Sequence, residues 1–268
     1  MSQTCPMRES LIVIACILLA VPATLAAAAG TERMTLAISN DGRPVAAAIR
    51  LLSDRYGYAI TYEDPFYVYA GDLQDVTLQV RKDLSNYSDP SKAPRVIVPR
   101  GAAFTVTYDI DAATRRPTSA RAVMESVLRA QAATGIGGTF RLEQSGDLLH
   151  VLPKTARNFN GEVVKQSSIL DAVITMTDEE RSAAEALDAF CEAVTAATHV
   201  GVRTGMYPLN LFHRQQRMRT GASNEKARDV LTRLLADMPL RVTWAIYNAP
   251  PEGGYLLHIA SVSDRSTP

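Results

Sequence analysis

The densest run of groups able to do chemistry lies between Tyr62 and Asp75, where Tyr62, Glu63, Asp64, Phe66, Tyr67, Tyr69, Asp72 and Asp75 crowd one short stretch. Flat rings beside carboxylates, carried on a loop of a rigid scaffold, suit a contact surface for a protein or a sugar. Tyr62, Asp64, Phe66, Tyr67, Tyr69 and Asp72 are therefore the expected partner-binding residues. Glu63 with Asp64 or Asp72 also offers the acid and base of a glycosidase, although spacing along a chain does not fix the separation of two carboxyl groups. The plainer reading is that the rings cover the end of a sheet while the acids are solvated. The twelve-residue loop of alternating oxygen ligands that calcium requires does not occur here.

Elsewhere the candidates are sparse. His150 and His258 stand in matching text, but one histidine on a strand is more often a surface residue than a metal ligand. His199 and His213 lack a partner at ligand spacing. No serine occupies a GxSxG turn, and no glycine loop resembles a phosphate cradle. The GIGG run at 135–138 reads as a helix stop and a strand entry. Cys191 lies on a helical face with Phe190 and Val194, which makes it a small buried hydrophobe before a nucleophile or a dimer link. Arg214, Arg217 and Arg219 can meet an acidic partner or lipid head groups, but as three cations in a neutral chain they read as solvated. With 28 basic and 28 acidic residues the chain lacks the cationic excess of a bulk nucleic-acid binder. The expectation is a protein with no catalytic residue, no metal and no cofactor, and hence not an enzyme.

The elements that would hold these residues follow from periodicity. Val45, Ala48, Ile49, Leu52 and Tyr56 line one helical face after Pro44, and Gly57 suits a left-handed stop. Tyr58, Ile60 and Tyr62 then alternate as a strand. The same face recurs in Ala120, Val123, Met124, Val127 and Leu128, in Ala183, Ala186, Leu187, Phe190, Cys191 and Val194, and in Ala227, Val230, Leu231, Leu234, Leu235 and Met238. Thr177 with Glu180 reads as a capping box for the third helix, Ser223 as the start of the fourth, and Pro239 as its stop. Val76, Leu78 and Val80 alternate like a strand, as do Thr35 to Ser39, Phe104 to Tyr108 and Ile169 to Met176. Hairpins close both halves, and their second strands carry the matching texts Leu148-Leu149-His150-Val151 and Leu256-Leu257-His258-Ile259. The shared position of those texts argues for internal duplication.

Residues 1–29 have the parts of a secretory signal, with Arg8 before an apolar run from Leu11 to Leu25 and then small residues. The run is short of the roughly twenty residues a membrane span needs. Export leaves Cys191 as the sole remaining cysteine, so an ordinary core must hold the fold without a disulfide.

Residues 38–63, ISNDGRPVAAAIRLLSDRYGYAITYE, resemble the short amino-terminal domain shared by secretins and TonB-dependent receptors. Residues 117–153 look like that domain's second helix and closing hairpin. The resemblance covers about half the mature chain, and it departs from the family in the long insertion at 64–100 and in the lack of a following channel or barrel. It implies docking onto an envelope protein in the periplasm. The expected architecture is α+β: two tandem strand-helix-strand-strand-helix-strand-strand halves at 34–155 and 168–262, each a small mixed sheet covered on one side by two amphipathic helices. A linker at 156–167 joins them, a tail follows at 263–268, and the sheet edges are open to a partner strand. The leading function is a non-enzymatic periplasmic interaction module. The alternative is a cell-wall glycan binder or hydrolase built on loop 62–75.

Overall fold

A computed structural model describes residues 30–262 apart from 82, 84–86, 90–91, 209–216, 239–240 and 251–252. The expected signal, the tail, His213, Arg214 and the stop at Pro239 lie outside the described residues. The fold is α+β. Its first half runs β1 (Thr31–Asp41), α1 (Pro44–Tyr56), β2 (Ile60–Glu63), an arm of β3 (Leu73–Asp75), α2 (Thr77–Val80) and β4 (Ile97–Pro99), then β5 (Ala102–Asp111), α3 (Ala120–Ala133), β6 (Thr139–Ser145) and β7 (Leu148–Arg157). After β8 (Val163–Lys165), the second half runs β9 (Val173–Arg181), α4 (Ala183–Thr198), β10 (Val202–Thr204), β11 (Met218–Lys226), α5 (Ala227–Ala236), β12 (Val242–Ala249) and β13 (Gly254–Ser261).

The pairing repeats along with the order. In the first half β1 pairs antiparallel with β5, β2 runs parallel to β7, and β6 antiparallel to β7. The second half copies this with β9 on β11, β10 parallel to β13, and β12 antiparallel to β13. The two small sheets are not separate, because β12 lies parallel to β2 and joins them into the order β10-β13-β12-β2-β7-β6.

That joint fixes how the halves face. Ala245 pairs with Tyr62, and Ile246 with Glu63; residues paired across a ladder project to the same face. Tyr62 belongs to the core under α1 and α3, whereas Ile246 belongs to the core under α4 and α5. The helix pairs therefore cover opposite faces of one sheet. Each half keeps its strand order while its strands reverse direction, so a half-turn about an axis across the strands, with a shift of three strands along it, relates them.

Several local expectations are corrected. The strand of the third unit does not stop at Met176. β9 runs on to Arg181, and the capping box is Ser182 with Glu185 in place of Thr177 with Glu180. β11 likewise runs through Ser223 to Lys226, so α5 begins at Ala227. Both shifts come from the β9–β11 ladder, whose tertiary pairing outweighs a capping signal worth about 1 kcal/mol. Val76, Leu78 and Val80 do not form a strand, since the Asp75 carboxylate accepts from the Thr77 N–H at 2.9 Å and turns the chain into α2. The linker 156–167 is partly a strand, for β8 folds back on β7. The glycine readings stand: Gly57 takes a left-handed φ of 67° at the end of α1, and Gly138 enters β6 where a Cβ would sit 1.9 Å from the Thr155 carbonyl oxygen.

Two carboxylates are buried at the joint. Asp64, 1% exposed, accepts from Arg43 Nε at 2.6 Å, the Tyr62 hydroxyl at 2.7 Å and the Asn248 backbone N–H at 2.9 Å. Glu63, 1% exposed, accepts from Ser168 Oγ and from Arg228 Nη2 at 3.1 Å, and Arg228 Nη1 also reaches Asp171 at 2.8 Å. Asp64 ties α1 to β12, and Glu63 ties β2 to α5. Removing one member of such a buried pair strands the other charge and costs about 3–5 kcal/mol. We predict that Asp64→Ala lowers unfolding stability by that amount. Tryptophan emission, which reports the second core, and far-UV circular dichroism, which reports the whole chain, will shift together as one transition. Separate transitions for the two signals would refute the shared joint.

Candidate interaction clefts

Because the helices cover opposite faces, each half leaves bare the face of its sheet that the other half's helix overhangs. The larger cleft, about 620 Å³, opens between α1 and the bare face of β12 and β13. Its floor carries Ala245, Tyr247, His258 and Ala260, its walls Ala46 and Ile49 of α1 with Val98 and Pro99 of the arm, and its rim Met206, which is 70% exposed. Volume and mostly apolar lining are those of a binding site. Polar groups converge at one end, where the Arg43 guanidinium lies 4.9 Å from the Tyr247 ring centre and Tyr247 meets His258 edge to face at 4.8 Å. The second cleft, about 370 Å³, lies between α5 and the bare face of the first half, lined by Thr61, Leu148, Leu235, Met238 and Trp244.

The loop 62–75 is not the exposed surface its composition suggested. Tyr62 is 2% exposed and Asp72 3% exposed; Asp72 accepts from the Gly137 N–H at 2.9 Å and from Arg157 at 3.3 Å. Phe66, Tyr67 and Tyr69 are half-buried. Phe66 packs 6.3 Å from Tyr255, the Tyr67 N–H donates to Asn248 Oδ1 at 3.2 Å, and Arg157 covers the Tyr69 ring. The physical reason is topological: β2 is a central strand, so Phe66 and Tyr67 leaving its end meet the other half, and Tyr69 and Asp72 fold back onto Arg157 and Gly137 of the first. Burial pushes the carboxyls of Asp64 and Glu63 upward, against the opposing pull of Arg43 on the first and Arg228 on the second. Both are engaged with those arginines.

His150 and His258 face opposite sides of the sheet, because the flanking Leu149 and Val151 enter the first core while Leu257 and Ile259 enter the second. His150 Nδ1 sits 2.8 Å from the Thr61 hydroxyl. Among the described residues no cluster of histidines, cysteines and acids is placed to hold a metal. Burial pushes the Cys191 thiol up to about 11, which leaves it unreactive at neutral pH. Arg219 pairs with Asp178 at 2.8 Å, and Arg217 donates to the Glu180 carbonyl at 2.6 Å. His199 ends α4 in a left-handed turn. Arg43, Arg228, Ser168 and Asn248, which organise the joint, were not singled out by the sequence. Asn248, a lone amide amid a strand of otherwise apolar and aromatic character, was the one available signal.

The chain matches no known protein family, no curated protein and no solved structure.

Both strand histidines have depressed basicity, His150 through burial and then Arg228, opposed by Glu143 and Asp229, and His258 through burial and then Arg43. A lowered imidazole pKa means that the unfolded chain binds more protons, so its contribution is complete above the ordinary value of about 6.5 and is lost as pH falls below it. We predict that the melting temperature declines from pH 7.5 to pH 5.5, and that the double variant His150→Asn, His258→Asn declines less. Equal slopes would show that the two rings do not titrate with unfolding.

Proposed function

We propose that this chain is an exported, non-enzymatic interaction module of the cell envelope, acting in the periplasm by seating an apolar segment of an envelope protein in the cleft beneath α1. The observation that carries the reading is the cleft itself, mostly apolar in its lining and flanked by the exposed Met206. The resemblance of residues 38–63 and 117–153 to a domain that docks in the envelope supports it, as does the repeated topology. Among the described residues no helix is long and apolar enough to cross a membrane.

Docking through the sheet edges is less favoured than the sequence suggested. The outer strand β6 carries Arg141 paired with Glu143 at 2.8 Å, a charged edge of the kind that discourages added strands. At the other edge, β10 is three residues long. Matching Leu149 with Leu257 through their partners Ile60 and Thr204 puts Pro208 where Asp64 stands. Asp64 donates its N–H to the Ile246 carbonyl at 2.8 Å in the joint, and proline has no such donor. The face, not the edge, is left for a partner. The glycan alternative is the less favoured reading, because Glu63 and Asp64 lie in buried pairs with Arg228 and Arg43.

A photo-crosslinking benzophenone side chain at Met206 should give a discrete adduct in the native envelope. Ala260→Trp, which fills the cleft from the exposed end of its floor, should abolish that adduct. The same probe at Phe159, 80% exposed and away from the cleft lining, should give none. An adduct unaffected by Ala260→Trp, or equal from both positions, would contradict the docking site.

A further inference from the structure

A further cavity, about 500 Å³, opens at the C-terminal end of α1 and shares no lining residue with the docking cleft. Three arginines from separate parts of the chain line it: Arg116 from the loop after β5, Arg121 from the first turn of α3, and Arg241 of the other half, just before β12. Their guanidinium groups are placed by other residues of the same lining. Arg116 Nη2 donates to the Tyr56 carbonyl, Arg241 Nη1 to the next carbonyl, that of Gly57, at 3.1 Å, and Arg121 Nε to Gln144 Oε1 at 3.4 Å. Those acceptors are neutral, so the bonds fix the side chains without cancelling their charge. Arg241 is exposed, and Arg116 and Arg121 are partly so. The lining sets one carboxylate against them, Asp147 in the β6–β7 turn. Outside it, Glu125 meets Arg121 at 3.4 Å in a solvent-exposed pair of the kind that contributes little. Seated on consecutive carbonyls, Arg116 and Arg241 are like charges held close together, which repel. Cations do answer the carbonyls at a helix C-terminus, but Arg55 already occupies the last turn of α1. The charge collected here exceeds what capping asks for.

We propose that this cavity binds a phosphate monoester carried on a small hydroxyl-bearing body, a sugar phosphate. The guanidinium fork matches phosphate geometry, and a tetrahedral group with three acceptor oxygens can meet arginines that come from three elements, whereas a carboxylate offers two oxygens in one plane. A volume of about 500 Å³ exceeds what the phosphate alone fills. The rest of the lining is mixed, with Tyr58 and Leu149 beside Ser119, Gln144 and Asp147, as a ring bearing hydroxyl groups requires. Asp147 accepts from hydroxyls and repels a second anion. The inference goes beyond the docking reading and does not rest on it.

The test is calorimetric titration of the intact protein with glucose 1-phosphate. Binding should saturate at one site, and glucose itself, which lacks the phosphate, should give no heat of binding. Arg121→Gln and Arg241→Gln should each weaken binding about tenfold or more, and Arg121→Gln, whose side chain is half in solvent, should do so at an unchanged melting temperature. Arg33→Gln, which removes the same charge from an exposed site outside the cavity, should leave the affinity as it was. No saturable binding of glucose 1-phosphate, or equal losses from Arg33→Gln and Arg121→Gln, would overturn the site. Inorganic phosphate bound as tightly as glucose 1-phosphate would overturn the sugar body. Tighter, Arg121-dependent attachment to vesicles containing phosphatidic acid would move the phosphate to a lipid head group and overturn it likewise.

Discussion

Two parallel residue pairs, Tyr62 with Ala245 and Glu63 with Ile246, determine the shape of the whole molecule. They put β2, an edge in its own half, at the centre of a continuous sheet, and every later feature follows from that placement. A strand buried on both faces and both sides cannot leave its charged residues in water. Glu63 and Asp64 are accordingly enclosed, and each is held by an arginine, Arg228 from α5 of the far half and Arg43 from the turn before α1. Desolvating two carboxylates is expensive, and such pairs are weak evidence for added stability. Their clearer consequence is specificity of register, because a slip of one residue would exchange Tyr62 with Glu63 between an apolar core and an ionic one.

The duplication explains the clefts. Had the second half repeated the first by simple translation, all four long helices would lie on one face and the other would be bare throughout. The half-turn places α1 and α3 above one part and α4 and α5 below the other, so each helix pair ends beside an uncovered strip. The matching histidines mark those strips, His258 beneath α1 and His150 close to α5. The equivalence is one of position and not of surroundings: one ring meets Tyr247, the other Trp244 and Thr61. Divergence there, between two sites made by the same fold, is what duplication permits.

Much of this was legible in the chain. The four helical faces, the strand-helix-strand-strand-helix-strand-strand order and the repeated Leu-Leu-His text are local patterns, and the spaced residues Val45, Ile49, Leu52 and Tyr56, or Phe190 and Val194, are buried as their spacing requires. Strand ends were less legible, because Thr177 and Ser223 carry good helix-starting chemistry that a long-range ladder overrides. The joint was not legible at all. Nothing in ITYED says that the strand is central, and the same tyrosines and acids that suggest an exposed contact loop serve equally to fill a seam. Composition reports that a stretch is rich in rings and carboxylates; only the strand next to it decides whether they face water.

The central claim, that the halves share one sheet and unfold as one body, is tested most directly by native-state hydrogen exchange at the Asp64 amide, which donates across the joint to Ile246 at 2.8 Å. The account predicts protection equal to that of the Val151 and Leu257 amides in the two cores, all three exchanging only through global unfolding. An Asp64 amide that exchanges far faster than either, while both cores stay protected, would show two independent halves in mere contact and would contradict it.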